Sequence, residues 1–508
     1  MAEQIKDLGA GGLNTDLPPM IVPMNTFTDV LNVRFNNNSI ETITGETTSR
    51  VVSNTPDFGV HWRRPDQGYN IFGKDGSFVR VDSASNESSM LSSVDAKYAN
   101  SDWHSTYFNG GYTIIINNGK STPLYCLYGD VSAGNSFQEL PNWNYVAGLT
   151  VTAKVVRSLN YSLVAANLTL TQDSVITNAP GTIRISVQAP TGAVPNVWEP
   201  GTTTDTADEF ELSSTSPILD MLELRGNLFV YSSDSISIVS LGNVTKVSKY
   251  SNSYGILNTD CVVEFDGKHF VVDRNDIYIH GGSGEIQSVS EYRIKDYFFS
   301  NLNKSAIDKV KVIKNPFNKE IWINYPKGTS LVCNESLIFN YKNNTWTKRT
   351  LPSVTYSFNG PSNINNEFQY GNEVIYFTTD TTQTLVTDDN YLMWNGSSLA
   401  SFNSYIEKRK LNTGELSTGT LISSIYPVFD NVPSDSNINI SVVSQNNYID
   451  NPTFASNDVF VFEPNNTRSQ GYKVDPRTSG RVINYKIQST GYWRLCTFSL
   501  DAKPLDRR

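Results

Sequence analysis

Cysteine is scarce in this 508-residue chain, and the four present, Cys126, Cys261, Cys333 and Cys496, lie far apart with no Cys-x-x-Cys pair. That spacing argues against a disulfide scaffold or a zinc ribbon and reads as free thiols in a reducing compartment. Histidine is as rare. His61, His104, His269 and His280 show no ligand spacing, so each reads as a surface or packing residue rather than a metal ligand. Basic residues never gather beyond Lys408-Arg409-Lys410, which sits beside Glu407, and 40 Lys and Arg against 50 Asp and Glu leave a net charge of −10 and a pI near 5.1. Tight binding to nucleic acid depends on many phosphate-neutralising cations, so the chain could face DNA but not grip it. No run approaches the roughly 18 apolar residues of a membrane span. Met1 to Asp7 has no basic region followed by an apolar one, so the expectation is a soluble protein made and kept in the cytoplasm unless it leaves by a route other than secretion. There is no Gly-x-Ser-x-Gly elbow and no phosphate loop; Gly281-Gly282-Ser283-Gly284 is too short and runs into Glu285, and reads as a connection between strands.

What the chain has is a recurring phrase: an apolar strand, a tight turn, a second strand. It occurs as Tyr69-Asn70-Ile71-Phe72-Gly73-Lys74-Asp75-Gly76-Ser77-Phe78-Val79, around Asn109-Gly110-Gly111, around Arg225-Gly226 and around Asp266-Gly267. β-Branched and aromatic residues flank dipeptides that tolerate positive φ, as a two-residue hairpin turn requires. A hairpin unit returning every 40 to 60 residues or so suggests propeller blades. The frequent Asn, Ser and Thr and an aromatic content of 11% fit pleated, half-buried surfaces. By length alone about three domains of roughly 150 residues would be expected, though a propeller can run longer as one unit.

The fold class expected is therefore all-β, a β-propeller-like body of hairpin blades with one short helix, plus a C-terminal antiparallel β-sandwich. Residues 1–45 form an extended N-terminal arm and first strand, since Gly9 to Gly12, Asp16-Leu17-Pro18-Pro19 and Pro23 leave little room for a helix. Such an arm gains order most easily by lying on another surface. Residues 46–400 form the body and 401–508 the sandwich, with alternating strands at Ile438–Val443, Val482–Ile487 and Tyr492–Leu500. The helix is placed after Ser288-Val289-Ser290-Glu291, a capping box, with Ile294, Tyr297, Phe298 and Leu302 at near-helical spacing and an end near Asn301 to Asn303.

No residue is assigned a catalytic, cofactor-binding or metal-binding role. Asp66, Asp75, Asp266 and Asp276 could supply the carboxylate pair of a glycoside hydrolase, but they lie in turns where Asp is favoured for backbone reasons. Asp273 and Asp276 lack the further oxygen donors of a calcium loop. Trp62, Trp103, Trp143, Trp198, Trp322, Trp346 and Trp394 read as packing between blades.

The order of several features resembles the lower-tail tube proteins of short-tailed bacteriophages, the nozzle, tail tubular protein B, hub or packaged-DNA stabilisation family. They are Leu17-Pro18-Pro19, Asn32-Val33-Arg34 leading to Thr44-Gly45-Glu46, Asn196-Val197-Trp198-Glu199-Pro200, Leu224 to Ser232, Tyr254-Gly255-Ile256, Val272 to Tyr278, Ile286 to Val289, and a closing strand pair ending in Arg507-Arg508. The resemblance covers most of the chain and rests on hydrophobic-pattern elements. It implies a structural, non-enzymatic virion protein of the tail, assembled in the host cytoplasm. It implies a homo-oligomer, a ring of six subunits below an adaptor or portal ring, with tail fibre, spike or needle proteins nearby and double-stranded DNA passing through without sequence-specific binding. Residues expected to serve assembly are Leu17, Pro18, Asn32, Arg34, Tyr405, Glu407 and Arg409. The competing expectation is a glycan-binding or glycan-hydrolysing propeller of a tail spike or surface-binding protein.

Overall fold

The computed structural model describes residues 2–63, 68–82, 85–127, 136–201, 207–213, 216–242, 245–361, 373–411, 418–430, 438–449, 451–455, 459–462 and 473–505. Asp66 and the closing Arg507-Arg508 lie outside them. Three of the four hairpin phrases fold as their turn residues require; the fourth closes between Phe108 and Thr113 over a four-residue loop with a 3₁₀ turn at Asn109–Gly111. Asp75 and Gly76 take φ of 48° and 83°, Arg225 and Gly226 54° and 76°, Asp266 and Gly267 45° and 71°, and each pair joins neighbouring antiparallel strands at closing pairs such as Lys74 with Ser77. This is the primed turn whose twist matches the strands it connects.

Five four-stranded antiparallel sheets follow one another along the chain, from Phe58–Arg63 to Glu87–Ser92, His104–Phe108 to Gln138–Glu139, Leu149–Leu159 to Asp208–Glu211, Ile218–Leu224 to Lys246–Ser251, and Val262–Phe265 to Gln287–Ser288. We number these blades 1 to 5. A seven-stranded sheet supplies two more. Its long strand Thr345–Pro361 bends at Ser353, where φ is 41°; the half before the bend is the outer strand of blade 6, paired with Cys333–Asn340, and the half after it is the inner strand of blade 7, paired with Glu373–Thr379. The outermost strand of blade 7 is Glu46–Val51, paired antiparallel with Gln383–Thr387, so the start of the body closes the ring.

Apolar clusters between consecutive blades complete the circuit. Phe58 and Trp62 of blade 1 pack with Trp103 and Ile114 of blade 2, Phe108 and Ile115 with Val151 and Leu163 of blade 3, and Val155 and Ile183 with Met221 and Val230 of blade 4. Blades 4, 5 and 6 share one cluster, in which Phe270 stacks on Phe339 at 5.7 Å. Ile313 and Trp322 meet Ile375 and Phe377 of blade 7, and Phe358 of blade 7 meets Phe72 of blade 1 at 5.8 Å. The fold is a β-propeller of seven blades, and six of the seven tryptophans read as packing residues in the sequence are buried in it; Trp394 is half-buried against blade 7.

The two chain ends form the sandwich together. One sheet orders Val33–Asn36, Ser39–Thr42, Arg494–Leu505, Gly419–Phe429 and Thr478–Gly480, with Ala2–Ile5 also pairing on Arg494–Leu505; the other orders Asp29–Leu31, Ser404–Leu411, Val482–Ser489, Ile438–Gln445 and Val459–Phe462. Residues 1–45 are thus not an arm apart from 401–508, because four of their strands complete its sheets. The arm lies on its own chain. Leu8 and Leu13 are buried, and the Leu13 N–H donates to the Trp346 carbonyl at 2.9 Å. The sandwich core continues into blades 4 to 6 as one cluster.

The helix is shorter than its sequence pattern. Ser288 Oγ does accept from the Glu291 N–H at 3.2 Å, but Tyr292 at φ 58° breaks the path and the helix runs only over Lys295–Asn301. Its first turn is capped from a distance, by Asp16 accepting from Asp296 N–H at 3.1 Å and Tyr297 N–H at 3.4 Å. Deleting residues 2–20 should therefore unsettle the body itself. Losing the burial of Ile5, Leu8 and Leu13, and uncovering the core surface they pack on, costs about 2 kcal/mol for each, before the lost cap, and a truncated chain with the wild-type urea midpoint would contradict this packing.

Candidate functional site

The inner strands of the blades begin at one end of the propeller axis, and there their polar side chains converge. Asp260, just ahead of blade 5, reaches inward from a left-handed backbone with φ 64°. Its Oδ2 lies 2.9 Å from His104 Nδ1 of blade 2, 3.4 Å from Lys311 Nζ of blade 6 and 3.5 Å from the Tyr356 hydroxyl of blade 7. Its Oδ1 lies 3.4 Å from Arg157 Nη2 of blade 3, which also holds Asp220 of blade 4 at 2.6 Å. Asp220 Oδ2 in turn accepts from the Asp260 N–H at 2.9 Å. Lys311 Nζ stands 3.3 Å from the Tyr356 ring centroid. Six blades thus contribute to one network.

Two carboxylates meet two permanent or near-permanent cations, so the cluster is close to neutral. Burial alone would raise the Asp260 carboxyl, but Lys311, His104 and Arg157 beside it hold it well below the usual carboxylate range. Burial raises Asp220 despite Arg157, and lowers Lys311 despite Asp260. Asp260 stays charged and cannot serve as a proton donor near neutral pH.

Beside the network is a cavity of about 30 Å³, lined in part by Asp57, Asp102, Trp103, His104, Asp308 and Lys309. It has room for water, against the several hundred Å³ of a small-molecule site. Burial pushes the Asp57 carboxyl up to about 6, whereas Asp102 is tied to Lys309 at 2.5 Å. A glycosidase needs two carboxylates several ångströms apart across a sugar-sized groove. Here Asp102 and Asp260 are paired with cations, the buried Oδ1 of Asp57 has no hydrogen-bond partner, and the gap between them is water-sized. Asp75 and Asp266 sit in the hairpin turns, and Asp276 accepts from Ile277 N–H, Ser288 Oγ and Ser290 Oγ, which is turn chemistry. Among the described residues no group of three or more His, Cys, Asp or Glu could hold a metal ion, and no helix is long and apolar enough to cross a membrane.

No family model matches the chain, and no curated protein matches its sequence. Solved structures similar to it include "YCF48 bound to D1 peptide", at 11% identity and a TM-score of 0.37 over 69% of this chain and 96% of that one. "Structure of U3-55K" matches at 5% identity and 0.37 over 68% and 98%, and a chain of "Crystal Structure of Mitotic Checkpoint Complex" at 10% and 0.40 over 68% and 93%. Likenesses this low bear on neither activity nor partners, and the propeller assignment stands on the sheets and inter-blade clusters above.

The residues singled out for assembly are mostly engaged within the chain. Asn32, buried at φ 55°, donates from Nδ2 to the Asn403 carbonyl at 2.8 Å and accepts on Oδ1 from the Thr350 N–H at 2.9 Å, bridging sandwich and blade 6. Arg34 pairs with Glu320 of blade 6 at 2.5 Å, both buried. Tyr405 donates to Asp29 Oδ2 at 3.0 Å, and Glu407 holds Arg409 Nε at 2.5 Å. Leu17 is half-buried, its N–H donating to Asn14 Oδ1 at 3.0 Å, and Pro18 is exposed. The five polar residues join arm, sandwich and blade 6 rather than standing free.

Sequence reasoning passed over the residues that matter most here. Asp220, Lys311 and His104 stand five residues, and Asp260 six, ahead of their blades' first turns at Arg225, Pro316, Asn109 and Asp266. Aligning the blades on those turns would have brought the four to one level. Lys408, noted only as part of a basic triplet, is buried, donates to the carbonyls of Val22, Pro23 and Thr26 at 2.8, 2.6 and 2.8 Å, and is pushed down to about 7 by burial. It fastens the arm to the sandwich.

Proposed function

We propose that the chain is a structural subunit of the lower tail tube, the nozzle or hub, of a short-tailed bacteriophage, assembled in the host cytoplasm and carried in the virion tail. The observation that carries this reading is the axial plug. A propeller whose mouth offers a water-sized cavity, and whose axis is filled by a polar network from six blades with its two carboxylates and two cations mutually neutralised, has the properties of a rigid building block rather than of a ligand pocket. The resemblance of the sequence to tail-tube proteins supplies the setting for such a block.

A duplex has no path along an axis so filled, so the conduit belongs between copies. That requires a closed homo-oligomer, six subunits in this reading, seated on an adaptor or portal ring. With a net charge of −10 per subunit, the wall facing the genome should be acidic, so that phosphates are repelled and the DNA slides. A lumen lined mainly by Lys and Arg would contradict that part. The glycan reading draws no support from the axial mouth, where Asp102 and Asp260 are held by cations.

The mass of the purified protein, alone and mixed with candidate adaptor or portal rings, tests the reading. A closed six-subunit species, free or on its partner, is expected. A monomer over a wide concentration range that joins no ring would overturn it.

A further inference from the structure

Two neighbouring blades end in open edges of opposite charge. The outer strand of blade 3, Asp208-Glu209-Phe210-Glu211, pairs only with Val175–Ile185, and the outer strand of blade 4, Lys246–Ser251, pairs only with Ile236–Ser240 among the described residues. Each therefore presents a row of backbone N–H and C=O groups on its far side. The first carries three carboxylates, with Glu209 held in place by Arg184 at 2.7 Å and Glu211 exposed. The second carries Lys246 and Lys249, both exposed and in no ion pair among the described residues, around Val247, which is 46% exposed. Blades 2 and 5 end in two-residue strands, and the sandwich packs along the outer strand of blade 6.

We infer that these edges are a self-association surface, the acidic blade 3 edge of one copy adding as a strand to the basic blade 4 edge of another. Strand addition supplies main-chain hydrogen bonds, and charge selects the pairing. Acid facing acid and lysine facing lysine repel, so neither edge pairs with its own kind. The contact joins two different patches, which makes it heterologous, the kind that can close into rings. The short strands and the solvent-exposed lysines make it weak in isolation and sensitive to salt. The inference rests on the two edges and not on the tube reading.

Sedimentation velocity of four samples decides it: the wild type, K246E/K249E, D208K/E211K, and an equal mixture of the two variants. All the changes are at the rim, and unchanged thermal melting confirms that the variants fold. The wild type should self-associate and dissociate as salt is raised. Each variant alone, with two acidic or two basic edges, should be monomeric, and the mixture should associate again because acidic edges then meet basic ones. A monomeric wild type, variants that associate like the wild type, or a mixture that stays monomeric would each overturn the edge pairing. Variants that still form the full ring would overturn it while leaving the tube reading intact.

Discussion

Replacing Asp260 by asparagine should cost the folded protein about 3 kcal/mol, the lower end of what is lost when one member of a buried charge network is removed. Asparagine keeps the shape and loses the charge, so Arg157 and Lys311 are left facing one carboxylate, Asp220, instead of two. The side chain keeps 21% of its surface accessible, and solvent screening is the reason for the lower end of the range. The measurement is the urea midpoint of D260N against the wild type, with D57N as a control that leaves the network whole. A D260N midpoint indistinguishable from the wild type would mean that the plug adds nothing to holding the blades together.

A second large effect is acid instability centred on blades 4 and 5. The buried Tyr231 hydroxyl lies 2.6 Å from His269 Nδ1 and 2.7 Å from His280 Nε2. The remaining ring nitrogens face the Glu223 carbonyl and the Gly282 N–H. That circuit is consistent with both rings neutral: His269 Nε2–H donates to Glu223, Tyr231 donates to His269, and His280 Nε2–H donates to Tyr231. Burial pushes His269 down to about 4, and burial together with His269 pushes His280 down to about 3, from 6.5. A depressed folded-state pKa means that the unfolded chain binds protons first. The stabilisation is complete above pH 6.5 and is lost as the pH falls toward 4 and then 3. At 1.36 kcal/mol per pKa unit this is about 3 kcal/mol for His269 and about 5 for His280, overlapping because the rings share one network. Asp57, raised to about 6, works in the opposite sense below pH 6, so the comparison must isolate the histidines. Urea midpoints at pH 7, 5.5 and 4.5 should fall steeply for the wild type and much less for the H269L/H280L pair relative to its own value at pH 7. Equal slopes would contradict the neutral circuit.

The parts of this architecture that were legible in the sequence are those written locally. Asp75-Gly76, Arg225-Gly226 and Asp266-Gly267 announce their turns because few residues other than Gly, Asn and Asp take positive φ easily, and alternating β-branched and aromatic residues announce the strands beside them. The end of the helix at Asn301 was readable too, because the near-helical apolar spacing stops at Leu302, where the backbone turns extended. Its start was not, because its cap, Asp16, comes from far along the chain. Long-range pairings account for the rest. Nothing in Glu46-Thr47-Thr48-Ser49-Arg50-Val51 says that it closes blade 7, and nothing near Glu46 points to its partner Arg349, though the two form a fully buried ion pair. The axial site stayed hidden because six of the seven blades contribute one unremarkable polar residue each, and only the ring brings them together.

The most direct test of the central claim is an electron cryomicroscopy map of purified tails that contain this chain. Several copies of a seven-bladed body should surround a central hole, with the axis of each propeller filled at Asp260 and the genome path running between copies. A map in which DNA or an extended ligand threads the axis of a single propeller, or in which the chain is absent from the tail, would contradict it.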